Sequence, residues 1–352
     1  MKRLLTAIVV IMTAVMAYAQ DTPNTLRYKL RGGTTVDIHL KELKEIKKIA
    51  NISMRNIYID ENRDYDEFML EDIESIDFVY IEPIPHDNLN MNMERYARRL
   101  EIPHLNAYGE KNLFIEHSTK DYGVTYALEW DCDKKSQRWT CYQFHDGLPK
   151  DESVGRSSSW KDDPDIPSAY RTHDRDFKGT GFSRGHMCAS DDRKSSEDQN
   201  KQTFYISNAH PQYQSHNGAL WVTLEKAVNT WGNSSSFRDT LYVVKAGTID
   251  EEAPYDGEDI TLGYTTSSEG TNLLVPGYFY MAVLCLKDKE YKAIAFWTKH
   301  EDKSITKANP KNYAISIDEL EKRTGIDFFC NLPDDIEAQV EESYDLKDWN
   351  LE

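Results

Sequence analysis

Gly181-Phe182-Ser183-Arg184-Gly185-His186-Met187 is the stretch around which the rest of the chain can be organised. It sets an Arg and a His on either side of a glycine. A strand-like run over 202–208, ending at Asn208, follows it. A helical pattern over 217–231 then carries Asn217 and Glu225. Imidazole is the side chain best suited to take a proton from water near neutral pH. Guanidinium offers fixed positive charge in a fork that fits phosphate oxygens. An Asn carbonyl is a neutral oxygen ligand for a hard cation such as Mg2+, which keeps much of its water. Glu225 stands about 12 Å along an ideal helix from Asn217 and about 80° round it, so it is expected to reach an ion held by Asn217 only through water.

Taken singly, each of these residues has a plainer reading. A His in a strand is packed or solvent-facing, Asn217 at the head of a helix is an N-cap, Glu225 is a solvated charge, and Arg184 is a salt-bridge partner. The order and intervals of the whole set separate the two readings.

Outward from this stretch, the 352 residues suffice for one large domain and a small one, and 39 % hydrophobic with 29 % charged residues is ordinary for a globular chain. Lys2 and Arg3 precede the apolar run 4–16, and Ala17-Tyr18-Ala19 has the small-x-small form of a cleavage site. Residues 1–19 are expected to be a secretory signal peptide, too short in its apolar part to span a bilayer. The protein is therefore expected to be exported, to the periplasm or beyond the cell, without stable membrane insertion. Net charge is −18, and becomes −20 without residues 1–19. That acidity weakens nonspecific adhesion to polyanions. The window 168–202 differs, with seven Lys/Arg against six Asp/Glu, so a polyanion meets least repulsion there. Five cysteines in an exported chain leave at least one thiol unpaired within a monomer. Cys132 and Cys141 bracket a hairpin and could face each other across it, Cys285 in an apolar strand reads equally as a buried thiol, and no Cys/His spacing matches a structural zinc site.

Residues 20–85 read as a small α+β unit of unassigned partner, with a hairpin over 28–40 turning at Gly32-Gly33, a helix over 42–50, and strands at 56–60 and 76–81. A polar linker and short helix fill 86–101. From 102 to 349 strands and helices mix without a repeat. One hairpin is expected from 122–131 and 138–144, and another from 274–286 and 291–297. A strand is expected at 240–244 and a helix at 316–324 with Ser316 and Glu319 in a capping-box pattern. The acidic tail from Asp334 reads as a solvated face.

Ser183-Arg184-Gly185-His186, then Thr203-Phe204-Tyr205-Ile206-Ser207-Asn208 with Pro211-Gln212, then Asn217, Trp221, Leu224 and Glu225, resemble the sugar-nonspecific DNA/RNA endonucleases built on the ββα-metal (His-Me) finger. The likeness continues through Asp239-Thr240-Leu241-Tyr242-Val243-Val244 and Thr324-Gly325-Ile326-Asp327-Phe328-Phe329, covering about residues 101–349. The resemblance implies an α+β fold, a mixed and mainly antiparallel sheet flanked by helices, with the finger as active site. It implies His186 as general base, Asn217 as direct ligand of one Mg2+ (Mn2+ or another divalent ion could replace it), and Glu225 acting through water. Arg184 and Asn208 match positions that support phosphate binding and site geometry. Arg193 and Lys226 are further candidates for substrate contact. DNA and RNA are the implied substrates, recognised through phosphate with little base reading. The chain departs from many members at Ser183, where they carry Asp, and at Asn229, where they carry Arg. Those departures and the acidity motivate the alternative of a nucleic-acid-binding or interaction protein that keeps the fold with weak or lost catalysis. A hydrolase of small phosphodiesters is a third reading.

Overall fold

The computed structural model describes residues 25–31, 35–40, 43–49, 53–58, 66–79, 99–105, 112–253 and 257–352. The expected signal peptide, the Gly32-Gly33 turn and nearly all of the 86–101 linker lie outside them. The chain divides into two compact units, Met1–Asp87 and Asn88–Glu352.

In the first unit, Thr35–His39, Thr25–Leu30 and Ile73–Val79 form one antiparallel sheet in that order, closed over Leu26, Tyr28 and Ile38. Leu43–Ile49, Ser53–Tyr58 and Asp66–Met69 form a second. The helix expected over 42–50 is therefore a strand. Its Lys and Glu favour helix by only tenths of a kcal/mol each, and ladder pairing with Ser53–Tyr58 overrides that preference.

The second unit is built on a seven-stranded sheet, antiparallel throughout. Its strands run Ala314–Ile315, Glu290–Lys299, Tyr278–Lys287, Thr240–Gly247, Ser136–His145, Gly123–Asp131 and Asn112–Thr119 across the sheet. The first long hairpin falls where the sequence places it, and the second does so from Tyr278 onward, since Asn272–Pro276 is a separate strand paired with Thr261–Thr266. The central strands read as nearly unbroken apolar runs because both faces are covered, as strand parity shows. One face carries Leu241, Val243, Met281, Val283 and Phe296, packed under Trp221, Leu224, Val228 and Trp231 of a helix. The other carries Tyr242, Val244, Tyr280, Ala282 and Leu284, packed under Ile317 and Leu320 of helix Ile317–Thr324 and Val340 of helix Asp334–Glu342. Burying each such large side chain stabilises the fold by about 1.5–3 kcal/mol. The arrangement is a helix–sheet–helix sandwich of α+β class.

All five cysteines are free and buried. Cys132 joins the core on one face of the sheet and Cys141 the core on the other, so the pair expected to meet across the hairpin is separated by the sheet. Ser316 caps its helix by accepting the Glu319 N–H at 3.1 Å, while the Glu319 carboxylate turns to Arg323 and leaves the box half-made. The tail from Asp334 opens as helix Asp334–Glu342 and exposes most of its acidic residues, as expected of a solvated face, but Glu341 is buried.

Candidate active site

Ser183–His186 pairs antiparallel with Ala209–Gln212, matching Ser183 to Gln212 and His186 to Ala209. The strand expected over 202–208 is a correction. Residues 197–202 form helix Glu197–Gln202, Ile206–Asn208 is a 3-10 turn, and the partner strand starts one residue later. Gly185 is needed for its lack of a side chain, since a Cβ there would come 2.0 Å from Gln212 Oε1. Gln212 is fully buried between the ribbon and the helix behind it, and its amide meets His216 Nδ1 at 2.8 Å.

The helix completes a strand–strand–helix unit, and its first turns are unusual. It begins at Gln214–His216, passes through a π turn at Asn217–Trp221 and continues as an α-helix over Val222–Gly232. Asn217 is thus inside the helix, not at its N-cap. A π turn takes up one residue more than an α turn, so the eight-residue step from Asn217 to Glu225 covers about the rotation of seven α residues. The offset falls from about 80° to about 20°, and both side chains lie on one face. The strained geometry expected from an ideal helix is removed by this turn.

Ser183 fixes the orientation of the Asn217 amide. Its hydroxyl donates to the Gln212 carbonyl oxygen at 2.7 Å, which commits its only proton. Toward Asn217 it can then only accept, and it does so from Nδ2 at 3.2 Å. The Asn217 carbonyl oxygen is left facing away from Ser183.

His186 is half-buried under Trp160 and Phe204, with ring centroids at 4.4 and 4.8 Å. The Trp221 indole N–H points at its backbone carbonyl at 3.4 Å. Burial, followed by the positive charges of Arg156 and Lys245, pushes its imidazole down to about 3, so the ring is neutral and able to accept a proton. Burial pushes the Glu225 carboxyl up to about 7 against the opposing pull of Lys245, with Asp192 adding to the rise. His186 Nε2 and Glu225 Oε1 are both buried without a hydrogen-bond partner.

The remaining predicted residues are placed differently. Asn208 is fully buried and clamps the chain beyond His186: its Oδ1 accepts the Cys188 N–H, and its Nδ2 donates to the Cys188 and Thr203 carbonyls. Arg184 pairs with Asp174 at 2.5 Å and lies over the Phe177 ring. Lys226 is exposed beside Glu225. Arg193 corrects its reading as a substrate contact. It is 1 % exposed and its guanidinium donates to the carbonyls of Thr125, Asp192 and Gln143, so no ligand at the surface reaches it.

Sequence reasoning missed Arg156, Trp160 and Lys245. Arg156 is exposed, lies over the Phe204 ring and is the strongest charge acting on His186. Lys245 shares the face of Leu241 and Val243, is fully buried and reaches Asp192 at 3.5 Å. Asp192 also accepts from Tyr142 and from Asn229, which ties the finger helix to the sheet. Parity along a buried strand was the only signal for Lys245, and none marked Arg156. A second polar cluster, His117 with Asp163 and Asp165, has both imidazole nitrogens against carboxylates at 2.9 and 3.3 Å, and Ser207 bonds Asp163 as well.

Residues 114–335 match the family described as DNA/RNA non-specific endonuclease. Nuclease C1 of Cunninghamella echinulata var. echinulata is 30 % identical over 212 residues, which is 59 % of this chain and 81 % of that protein. The mitochondrial nuclease EXOG of Danio rerio is 27 % identical over 209 residues, 58 % of this chain and 59 % of the relative's own length. A chain from the crystal structure of the EndoG/EndoGI complex shares the fold, with TM-score 0.53 and 22 % identity over 64 % of this chain and 90 % of that one.

Proposed function

The chain belongs to the DNA/RNA non-specific endonuclease family, and from that premise we propose an exported, Mg2+-dependent enzyme that hydrolyses internal phosphodiester bonds of DNA and RNA with His186 as general base. The observation that carries the reading is the pair of buried, partnerless atoms His186 Nε2 and Glu225 Oε1 on the two arms of one finger. Buried polar atoms without a protein partner are places that a ligand, an ion or water can complete.

The donor set fits a hard cation. Asn217 would hold it through its amide oxygen, turned outward by Ser183, and Glu225 would reach it through water. When bound, the ion supplies positive charge to the non-bridging oxygens and to the leaving O3′. His186 Nε2 accepts the proton of the attacking water as the O–P bond forms and the P–O3′ bond breaks, and the departing O3′ takes a proton from solvent water, giving a 5′-phosphate and a 3′-hydroxyl. Trp160 and Phe204 keep the imidazole in place and shield it from bulk water. Arg156 and Lys226, both exposed, are the cations we assign to the flanking phosphates, while Arg184 and Asn208 brace the ribbon. Recognition through phosphate leaves base and sugar identity unread. Export rests on the character of residues 1–19.

The test is cleavage of plasmid DNA and of RNA by the mature protein with and without Mg2+, beside His186→Ala. Loss of at least about 100-fold in rate with the fold retained is expected. Wild-type rates from His186→Ala would remove it as the base. Metal-independent binding without turnover of either substrate would favour a binding protein that keeps the fold.

A further inference from the structure

Outside the finger, the most unusual chemistry lies between the two helices on the opposite face of the sheet. Helix Ile317–Thr324 carries Asp318 and Glu321, three residues apart and hence on one side. Helix Asp334–Glu342 carries Glu337 and Glu341, four apart and likewise on one side. Asp318, Glu321 and Glu341 each place a carboxylate oxygen within 4.8 Å of the others. Such clusters are common on protein surfaces and by themselves mean little.

Glu341 makes this one different. It is only 6 % exposed, and its Oε1 is buried with no hydrogen-bond partner. The carboxylates of Asp318 and Glu321 crowd it. Glu321 Oε1 accepts the Phe328 N–H at 2.8 Å. The neighbouring guanidinium of Arg323 is turned away, paired with Glu319 at 2.8 Å and lying over Trp297. A buried carboxylate without a partner costs several kcal/mol, and this one faces others. Two oxygens held by one Ca2+ at 2.3–2.6 Å are at most about 5 Å apart, the spacing found here. An all-carboxylate donor set suits hard, oxygen-seeking ions and not the softer transition metals.

We propose that Asp318, Glu321 and Glu341 form a structural site for a divalent cation of the Ca2+ class, which ties the two C-terminal helices together and is separate from the cleavage site. Glu337 lines its edge, and water completes the shell. The ion replaces mutual repulsion with shared attraction, so helix Asp334–Glu342 docks more firmly when it is bound.

The probe is Ca2+, titrated calorimetrically into chelator-stripped Asn217→Ala protein, in which the ligand assigned to the finger is gone. One Ca2+ per chain and a melting temperature raised by several degrees are expected. In Asn217→Ala/Glu341→Gln the isotherm should weaken by at least about tenfold, while Glu341→Gln alone keeps Mg2+-supported cleavage. Should Glu341→Gln fail to fold, Asp318→Asn, at the half-buried edge, serves in its place. No heat or melting shift from Asn217→Ala protein at about 10 mM Ca2+, far above the range of weak extracellular sites, would overturn the proposal. So would an isotherm unchanged by the substitutions. A failed nuclease assay with Ca2+ binding intact would count against the finger reading alone.

Discussion

The Ser183 hydroxyl does something a carboxylate at the same position cannot do in the same way. A hydroxyl donates and accepts at once, so its bond to the Gln212 carbonyl dictates which end of the Asn217 amide faces it. In Ser183→Ala the amide is free to flip. Losing one such bond is worth about 1 kcal/mol, or roughly fivefold in affinity. Mn2+ binding to His186→Ala protein should therefore weaken about fivefold when Ser183→Ala is added. Unchanged Mn2+ affinity would show that the hydroxyl does not set the amide. At this scale the site was partly legible. His186, Asn217 and Glu225 are chemistry-bearing types at fixed intervals, and the fold brings them to one finger. Arg193 was misread because a local charge count carries no information on depth, and the residue is a core strut. Arg156 was missed because it meets His186 only through tertiary folding.

The π turn is an element-scale device that a search for a 3.6-residue period cannot see. The sequence places the helix head at Asn217 because the apolar spacing begins there, whereas backbone bonding begins at Gln214. Shifting the phase by one residue moves Asn217 by about 100° relative to Glu225. An alanine inserted between Asn217 and Gly218 restores an offset of about 80° and should lower the cleavage rate by at least about 100-fold. Deleting Gly218, which is exposed, turns the π turn into an α turn and keeps the two side chains within about 20°. The deletion variant should stay within about tenfold of wild type, with far-UV circular dichroism checking both helices. Equal losses from the two changes would mean that helix phase does not matter to the site. The partner strand was misplaced for a related reason. Apolar alternation over 202–208 looks extended, but Asn208 bonds Cys188 and Thr203 and bends the chain into a turn.

At the scale of the whole molecule, pH acts on two sets of buried groups with opposite signs. His210, His216 and His300 are buried around Phe279, the first two on the finger's own strand and helix, and burial pushes them down to about 3, 3 and 4. His300 accepts the Tyr213 N–H at 2.8 Å and donates to the Pro276 carbonyl oxygen at 2.7 Å, which fits only the neutral ring. Their folded values lie below the unfolded value of about 6.5. Their contribution is complete above that pH and is lost as pH falls toward about 3. Glu321, Glu337 and Glu341 are raised to about 8, 7 and 10, so their contribution is complete in acid, below about 4.5, and is lost as pH rises through those values. The buried histidines on the finger side therefore contribute to the acid limb, and the C-terminal helices, together with Glu225 in the finger, to the alkaline limb. A cation held by Asp318, Glu321 and Glu341 would stabilise their charged forms and relieve only the alkaline limb. Melting temperature in chelator should fall on both sides of about pH 6. Added Ca2+ should flatten the fall between about pH 7 and 9 and leave the fall below pH 6 unchanged. If Ca2+ lifts both limbs equally, or neither, the two helices are not where the ion acts.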